Sequence, residues 1–152
     1  MGYVALCAAL IVVVGGLAIA EAATVITTPE TIVYQDHTVK YAELNLGSQA
    51  FGPGDSWMST LDLFDETGTT QVGTGHIQCT TQPGRGWQFC VGAFITDRGQ
   101  IFVSTALQIA PDTTYFDIPI TGGTGDFANV RGYAHVVPKS RDRQTDTLYL
   151  LP

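Results

Sequence analysis

The chain has 152 residues, the usual size of one domain, so we expect a single hydrophobic core. Charged residues make up 14% of it, and it holds 17 glycines and 10% aromatic residues; this mixture is typical of strands joined by tight turns and argues against long surface helices. The formal net charge is -7, with seven Lys and Arg in all and no basic run, which argues against a nucleic-acid partner.

The amino end predicts a signal peptide. Residues 3–20 are almost unbroken apolar sequence, and the small-x-small cleavage pattern occurs at residues 18–20 and again at 20–22. We therefore assign residues 1–22 to the signal peptide and residues 23–152 to a single secreted, extracellular domain. Because no Lys or Arg precedes the run, and because the run is nearly long enough to span a bilayer, retention as a membrane anchor is the alternative. A membrane is a partner only in that case.

The rest of the chain consists of short alternating segments, broken by turn residues about every 8 to 15 positions. No segment keeps a 3.6-residue apolar period, so we expect at most a turn or two of helix. The pattern predicts an all-β fold, an eight-stranded antiparallel up-and-down barrel; an immunoglobulin-like sandwich is the alternative, but its Cys-Trp-Cys spacing is absent. The predicted strands are 31–34, 38–46, 57–64, 71–81, 87–96, 99–109, 115–121, 130–137 and 147–151.

Two cysteines indicate the register of one hairpin. If residues 83–86 (Pro-Gly-Arg-Gly) form the loop, Gln82 lies opposite Trp87 and the numbers of every opposed pair sum to 169. Cys79 and Cys90 sum to the same value, so turn chemistry and cysteine placement agree on one pairing. An exported protein would oxidise such a pair, and we predict a structural disulfide between them.

A glycine-rich segment, Thr-Gly-Gly-Thr-Gly-Asp-Phe at residues 121–127, invites comparison with a phosphate-binding loop. A phosphate loop needs a Lys-Ser or Lys-Thr after its glycines and then a helix, whereas another predicted strand follows here. We therefore interpret Gly122, Gly123 and Gly125 as a structural turn.

This turn and its flanks resemble two related groups, the allene oxide cyclases and the dirigent proteins. In both, a strand such as Tyr-Phe-Asp-Ile-Pro-Ile at 115–120 enters a Gly-Gly-Thr/Ser-Gly-x-Phe/Tyr turn and leaves through a segment ending in Gly, as residues 130–132 do here. Upstream, Asp-Arg-Gly-Gln-Ile at 97–101 and Gly-Asp at 54–55 continue the likeness, which spans about residues 42–137. The paired cysteines depart from the plant cyclases and are similar to the secreted bacterial branch.

The resemblance implies a barrel, usually a homotrimer, that holds an apolar small molecule in its lumen and uses no cofactor. Cyclases of this type steer a reactive fatty-acid epoxide into one ring-closed stereoisomer, and dirigent proteins steer the coupling of phenoxy radicals. If this chain is an enzyme, the resemblance implies a cofactor-free isomerase or cyclase.

The resemblance also suggests candidate catalytic residues. The plant cyclase carries a Glu and an Asn on an early strand, and Glu43 and Asn45 occupy a comparable place in Ala-Glu-Leu-Asn at 42–45. Two positions apart on a strand, both side chains would face the lumen, where burial raises a carboxyl pKa and suits it to stabilising a cation or moving a proton. A solvent-facing carboxylate is the alternative.

The remaining polar residues indicate no metal site. His37, His76 and His135 are far apart and form no paired motif, and two thiols without nearby histidines do not make a zinc site. Alternation places Asp117 and Asp62 on the outer face, and an outer position is also favoured for His135.

Two functions follow from this pattern. The first is a steering barrel that confines an apolar molecule in one reactive shape; the second is a non-catalytic secreted barrel that binds a ligand or serves a structural role. A lumen with room for a ligand beside Glu43 favours the first, and a solidly packed lumen leaves only the second.

Overall fold

The computed structural model describes residues 26–47, 52–84, 86–108 and 113–152. The predicted signal peptide, with both cleavage patterns, lies outside the described residues. Eight strands and one short 3-10 helix follow one another: β1 Glu30–Leu44, β2 Ser56–Phe64, β3 Gln71–Thr81, β4 Gln88–Thr96, β5 Gly99–Leu107, β6 Phe116–Gly123, the helix η1 Gly125–Phe127, β7 Arg131–Pro138 and β8 Arg143–Leu151.

The strands form one closed antiparallel barrel. Each strand pairs with the next along the chain, and β1 pairs with β8 to close the wall. The predicted eight-stranded up-and-down barrel is confirmed. Two strands differ from the prediction by more than two residues. The segments predicted as 31–34 and 38–46 are a single strand, β1, with a register shift between Thr38 and Lys40, and β8 begins at Arg143, four residues before the predicted 147–151.

The predicted hairpin register is also confirmed. Cys79 lies opposite Cys90 across β3 and β4, the two are joined by a disulfide, and the Gln82 amide donates to the Trp87 carbonyl oxygen at 2.7 Å. Both cysteines point into the barrel and are buried.

The two ends of the barrel differ. At the closed end, η1 places Phe127 across the opening, fully buried, with the Arg98 guanidinium 4.9 Å above its ring. Arg98 also pairs with Glu30 at 2.6 Å, which ties the start of β1 to the β4–β5 turn. The opposite end, where β1 finishes and the β3–β4 and β7–β8 turns lie, is called the mouth below.

The glycine turn allows η1 to lie so close to the wall. Gly125 has φ +63, and a Cβ on Gly123 would come 2.5 Å from the Phe127 carbonyl oxygen. Glycine is needed at residue 125 for its backbone conformation and at residue 123 for lack of space.

Alternation along the strands places the core inside the barrel. Large apolar side chains fill the half next to η1, among them Leu63, Ile101, Leu148 and Leu150, each at most 1% exposed. Among the described residues, no helix has the length and apolar character to cross a membrane.

Candidate active site in the barrel lumen

A cavity of about 610 Å³ occupies the half of the barrel next to the mouth. This volume lies within the range of about 300–1,000 Å³ that is usual for small-molecule sites. Its walls are mostly apolar and include Trp57, Leu61, Phe94, Val103, Phe116 and Ile118. The lumen is therefore not packed solid, and room for a ligand beside Glu43 is the condition that favoured the steering barrel over the non-catalytic one.

Small inward-facing residues create this space. Ser59, Gly75 and Gly92 all line the cavity, at positions where alternation would otherwise place core side chains. The equivalent positions nearer η1 carry residues such as Leu63 and Ile101. The change from large to small residues along the same strands leaves one half of the barrel hollow.

Glu43 lines the cavity near the mouth. The Tyr41 hydroxyl donates a hydrogen bond of 2.5 Å to its Oε1, and the Tyr41 ring stacks on Trp57 with centroids 6.0 Å apart. Burial, followed by this hydrogen bond, raises the pKa of Tyr41 to about 12, so the hydroxyl stays protonated and keeps donating at neutral pH. Glu43 itself is solvent-accessible through the open mouth.

Asn45 does not line the cavity. It lies just beyond the end of β1, is exposed, and its Oδ1 accepts a hydrogen bond of 3.1 Å from the Gly47 amide. The structure therefore places Glu43 at the cavity but does not bring Asn45 together with it inside.

A buried pair of aspartates lies at the inner end of the cavity. Asp146 on β8 faces the cavity, and Asp36 on β1 is its diagonal neighbour on the same inner face; each is 1% exposed. Gln144 is the donor between them, with its Nε2 3.0 Å from both Asp146 oxygens and 3.5 Å from Asp36 Oδ2. Among the described residues, no N–H or O–H group donates to Asp36 Oδ1.

Burial sets the protonation of this pair. It raises the pKa of Asp36 far above the ordinary carboxyl range, and the negative charge of Asp146 raises it further. Burial also raises the pKa of Asp146, against the hydrogen bonds from Asp36 and Gln144. Two adjacent buried carboxyls cannot both ionise cheaply, so near neutral pH the pair holds one proton and one negative charge.

The sequence analysis missed both aspartates because each fell just outside a predicted strand, Asp36 in the gap between 31–34 and 38–46 and Asp146 before 147–151. The alternation of inward-facing and outward-facing residues along a strand was the available signal. Asp36 is two residues after the buried Tyr34, and Asp146 is two before the buried Leu148, so continuing either strand puts the carboxylate inside.

The polar residues expected outside are found there. Asp117 is exposed on the outer wall, and its Oδ1 lies 2.7 Å from His135 Nδ1. In the part of the chain that the structure describes, no three His, Cys, Asp or Glu residues are grouped so that they could hold a metal ion.

A wide groove also runs along the outer wall over β1 to β5, lined by exposed Val39, Met58, Val91 and Phe102. It is open to solvent and has no buried polar group among these residues. The lumen, which combines enclosure with buried carboxyls, is the better candidate site.

Comparison with known proteins gives matches among solved structures alone: no protein-family profile and no curated sequence matches the chain. A pyocyanin demethylase is 24% identical with a TM-score of 0.69, and the match covers 80% of this chain and 100% of that one. The pterocarpan synthase dirigent protein PsPTS1 is 16% identical with a TM-score of 0.64, covering 82% and 94%. The Diels-Alderase AbmU from Streptomyces koyangensis is 16% identical with a TM-score of 0.66, and the match covers 80% of this chain but only 63% of AbmU.

These matches bear on the resemblance drawn from the glycine turn. At these identities a structural likeness establishes architecture, and function has to be argued from the site. The predicted resemblance is confirmed at that level. The chain has the closed eight-stranded barrel fold of the dirigent proteins and the cyclase barrels.

Proposed function

We propose that this protein binds an apolar small molecule in its lumen and steers the cyclisation or coupling of that molecule without a cofactor. The observation that supports it is the cavity of about 610 Å³, closed at one end by η1, walled by apolar side chains and bordered by carboxyl groups. Neighbouring barrels named as a Diels-Alderase and as a dirigent pterocarpan synthase support ring-forming or coupling chemistry in such a lumen.

Confinement supplies most of the proposed effect. A flexible unsaturated molecule loses rotational freedom when aromatic and branched walls hold it, and the conformer that fits reacts preferentially. Trp57, Phe94 and Phe116 give the cavity flat aromatic surfaces, which suit conjugated or aromatic ligands.

Two acidic sites border the space. Glu43 at the mouth is held by the Tyr41 hydroxyl and offers a negative charge to a developing cation. Asp146 at the inner end offers a carboxyl that exchanges a proton with Asp36, which suits it to general acid–base steps.

The proposed location is outside the cell. The disulfide between Cys79 and Cys90 supports folding in an oxidising compartment, in keeping with the apolar amino-terminal segment.

Filling the lumen tests ligand binding. Ser59→Trp places a large side chain in the cavity, whereas Thr60→Trp places the same side chain on the outer face of the same strand. We expect Ser59→Trp to weaken binding of the fluorescent apolar probe N-phenylnaphthylamine by at least about tenfold, and Thr60→Trp to leave it within about twofold of wild type. Fluorescence titration gives both affinities. Equal affinity in the two variants, both folded by circular dichroism, would place the probe outside the lumen and contradict the proposal.

Glu43→Gln tests the steering step. Native mass spectrometry of the secreted protein identifies the molecule that it carries, and chiral chromatography then measures the products formed from that molecule with and without protein. Because the amide keeps the shape but loses the charge, we expect product formation to fall about 100-fold or more while binding changes little. An unchanged rate and enantiomeric excess would remove Glu43 from the mechanism, and the absence of any protein effect on products would leave a barrel that binds without catalysis.

A further inference from the structure

We infer that the inner end of the cavity is a binding site for a cationic nitrogen, so that the ligand enters the barrel with a protonated amine or iminium group leading. This inference rests on the proposed function, because it names the class of molecule that the same cavity takes.

The first observation is the imbalance of charge around Asp36 and Asp146. Each carboxyl is 1% exposed, and Asp146 accepts hydrogen bonds from the amide of Gln144 and from the protonated carboxyl of Asp36, both of which are neutral. A buried charge in a protein is normally paired with an opposite charge. Here the balancing cation is missing from the described part of the fold.

The second observation is that the pair has no charged donor. Asp36 Oδ1 is fully enclosed, and no N–H donor of the described residues reaches it. The hydrogen bond between the two carboxyls uses the proton of Asp36 but brings no positive charge. One buried negative charge is therefore left over, next to the carboxyl that lines the cavity.

The surroundings offer no alternative partner. On β1 the pair faces Tyr34, whose own pKa is raised to about 12 by burial, and on β7 it faces the apolar Val136. Among the described residues, no Lys or Arg shifts the pKa of either carboxyl. Arg141, the cation that borders the cavity, lies on the β7–β8 turn at the mouth.

The cavity gives a ligand access to this site. Asp146 is part of the cavity wall, together with the apolar Leu61, Phe94 and Ile118. An ammonium group at Asp146 would neutralise the single negative charge of the pair and supply N–H donors, while its hydrocarbon body contacts these walls. A carboxylate at the same place would be repelled, and an alcohol would supply a donor without the charge.

Three probes with one hydrocarbon chain separate these cases: n-decylamine, n-decanol and n-decanoate. Each is titrated against bound N-phenylnaphthylamine, so that displacement reports occupancy of the lumen. We expect the amine to bind at least about tenfold more tightly than the alcohol, and decanoate more weakly than either.

The variants assign this preference to the pair. Asp146→Asn removes the facing charge and keeps the shape, and we expect it to bring amine and alcohol within about twofold of each other. Asp36→Asn should do the same if Asp146→Asn fails to fold. Asp97→Asn, an exposed aspartate in the β4–β5 turn, is the matched control and should keep the full preference.

The wild-type protein provides an independent measurement. Because the first ionisation of the pair lies above the ordinary carboxyl range, we expect amine affinity to rise between pH 5 and pH 8, while alcohol affinity stays flat. The inference is overturned if wild type shows no preference for the amine, or if the preference survives in Asp146→Asn. In either case, binding of decanol would still support the proposed function. If neither amine nor alcohol displaces the dye and Ser59→Trp leaves dye binding unchanged, the lumen is not a binding site and both proposals fall.

Discussion

At the scale of single residues, the energetics of the lumen depend most on Asp36 and Asp146. Their position works against stability, because each leaves water for an interior that offers the pair one neutral amide, from Gln144, and no cation among the described residues. Arg98 shows the opposite arrangement at the closed end, where it meets Glu30 and Asp126 on the surface and lowers the pKa of Glu30. Buried carboxyls with strongly raised pKa values beside a cavity are typical of functional sites.

The pH dependence of unfolding tests the protonation of the pair. Both carboxyls have folded-state pKa values raised above their unfolded values, so the stability that they contribute is present at low pH and is lost as pH rises. Between about pH 7 and pH 8 the native state holds about one proton more than the unfolded chain, which corresponds to about 1.4 kcal/mol lost per pH unit; nearer pH 5, where Asp146 is also protonated, the excess approaches two. We expect Asp36→Asn to flatten this slope by about that amount and to be the more stable protein at pH 8.

Urea denaturation at several pH values measures the effect, with Asp97→Asn as the control that keeps the wild-type slope. The comparison between variants cancels the contribution of every other titratable group that the proteins share. Local hydrogen bonds lower the pKa values of Asp65 and Asp142, so both are ionised in the folded and unfolded states above pH 5. They therefore do not contribute to the pH dependence of unfolding. Identical slopes in wild type and Asp36→Asn would show that the pair ionises freely in the native state.

At the scale of elements, the register of the β3–β4 hairpin could be predicted to the residue. Its loop composition and its cysteines specify the same register, and Cys79 lies opposite Cys90 as expected. Local chemistry decides such a hairpin, because opposed residues are close in sequence and the turn fixes the pairing.

The first and last strands were harder to delimit for a physical reason. β1 runs through Gln35, Asp36 and His37, three polar residues that resemble a turn in sequence but are paired on both sides, with β2 and with β8. The pairing partner on β8 is more than 100 residues away, so nothing local signals it. Sequence patterns therefore predicted the barrel, but not the carboxyl pair inside it.

At the scale of the whole molecule, the barrel divides into a solid half and a hollow half. Phe127, Ile101 and Leu150 fill the half beneath η1, whereas Ser59 and Gly92 leave the mouth half open. The core thus supplies stability at one end, while the other end is free to hold a ligand. This division can be seen in the sequence only once the register of the strands is known.

Phe127→Ala tests whether the two halves are independent. The ring is 0% exposed and covers the closed end, so we expect its removal to lower the free energy of unfolding by about 3–5 kcal/mol. Because the cavity lies in the other half, N-phenylnaphthylamine affinity measured well below the melting temperature should stay within about twofold of wild type. Phe89→Ala removes the same ring from the outer wall, where it is 47% exposed, and should cost about 1 kcal/mol or less. Loss of dye binding in a folded Phe127→Ala protein would mean that the Phe127 ring shapes the cavity as well as the core. The hollow half of the barrel could then no longer be treated as a separate functional unit.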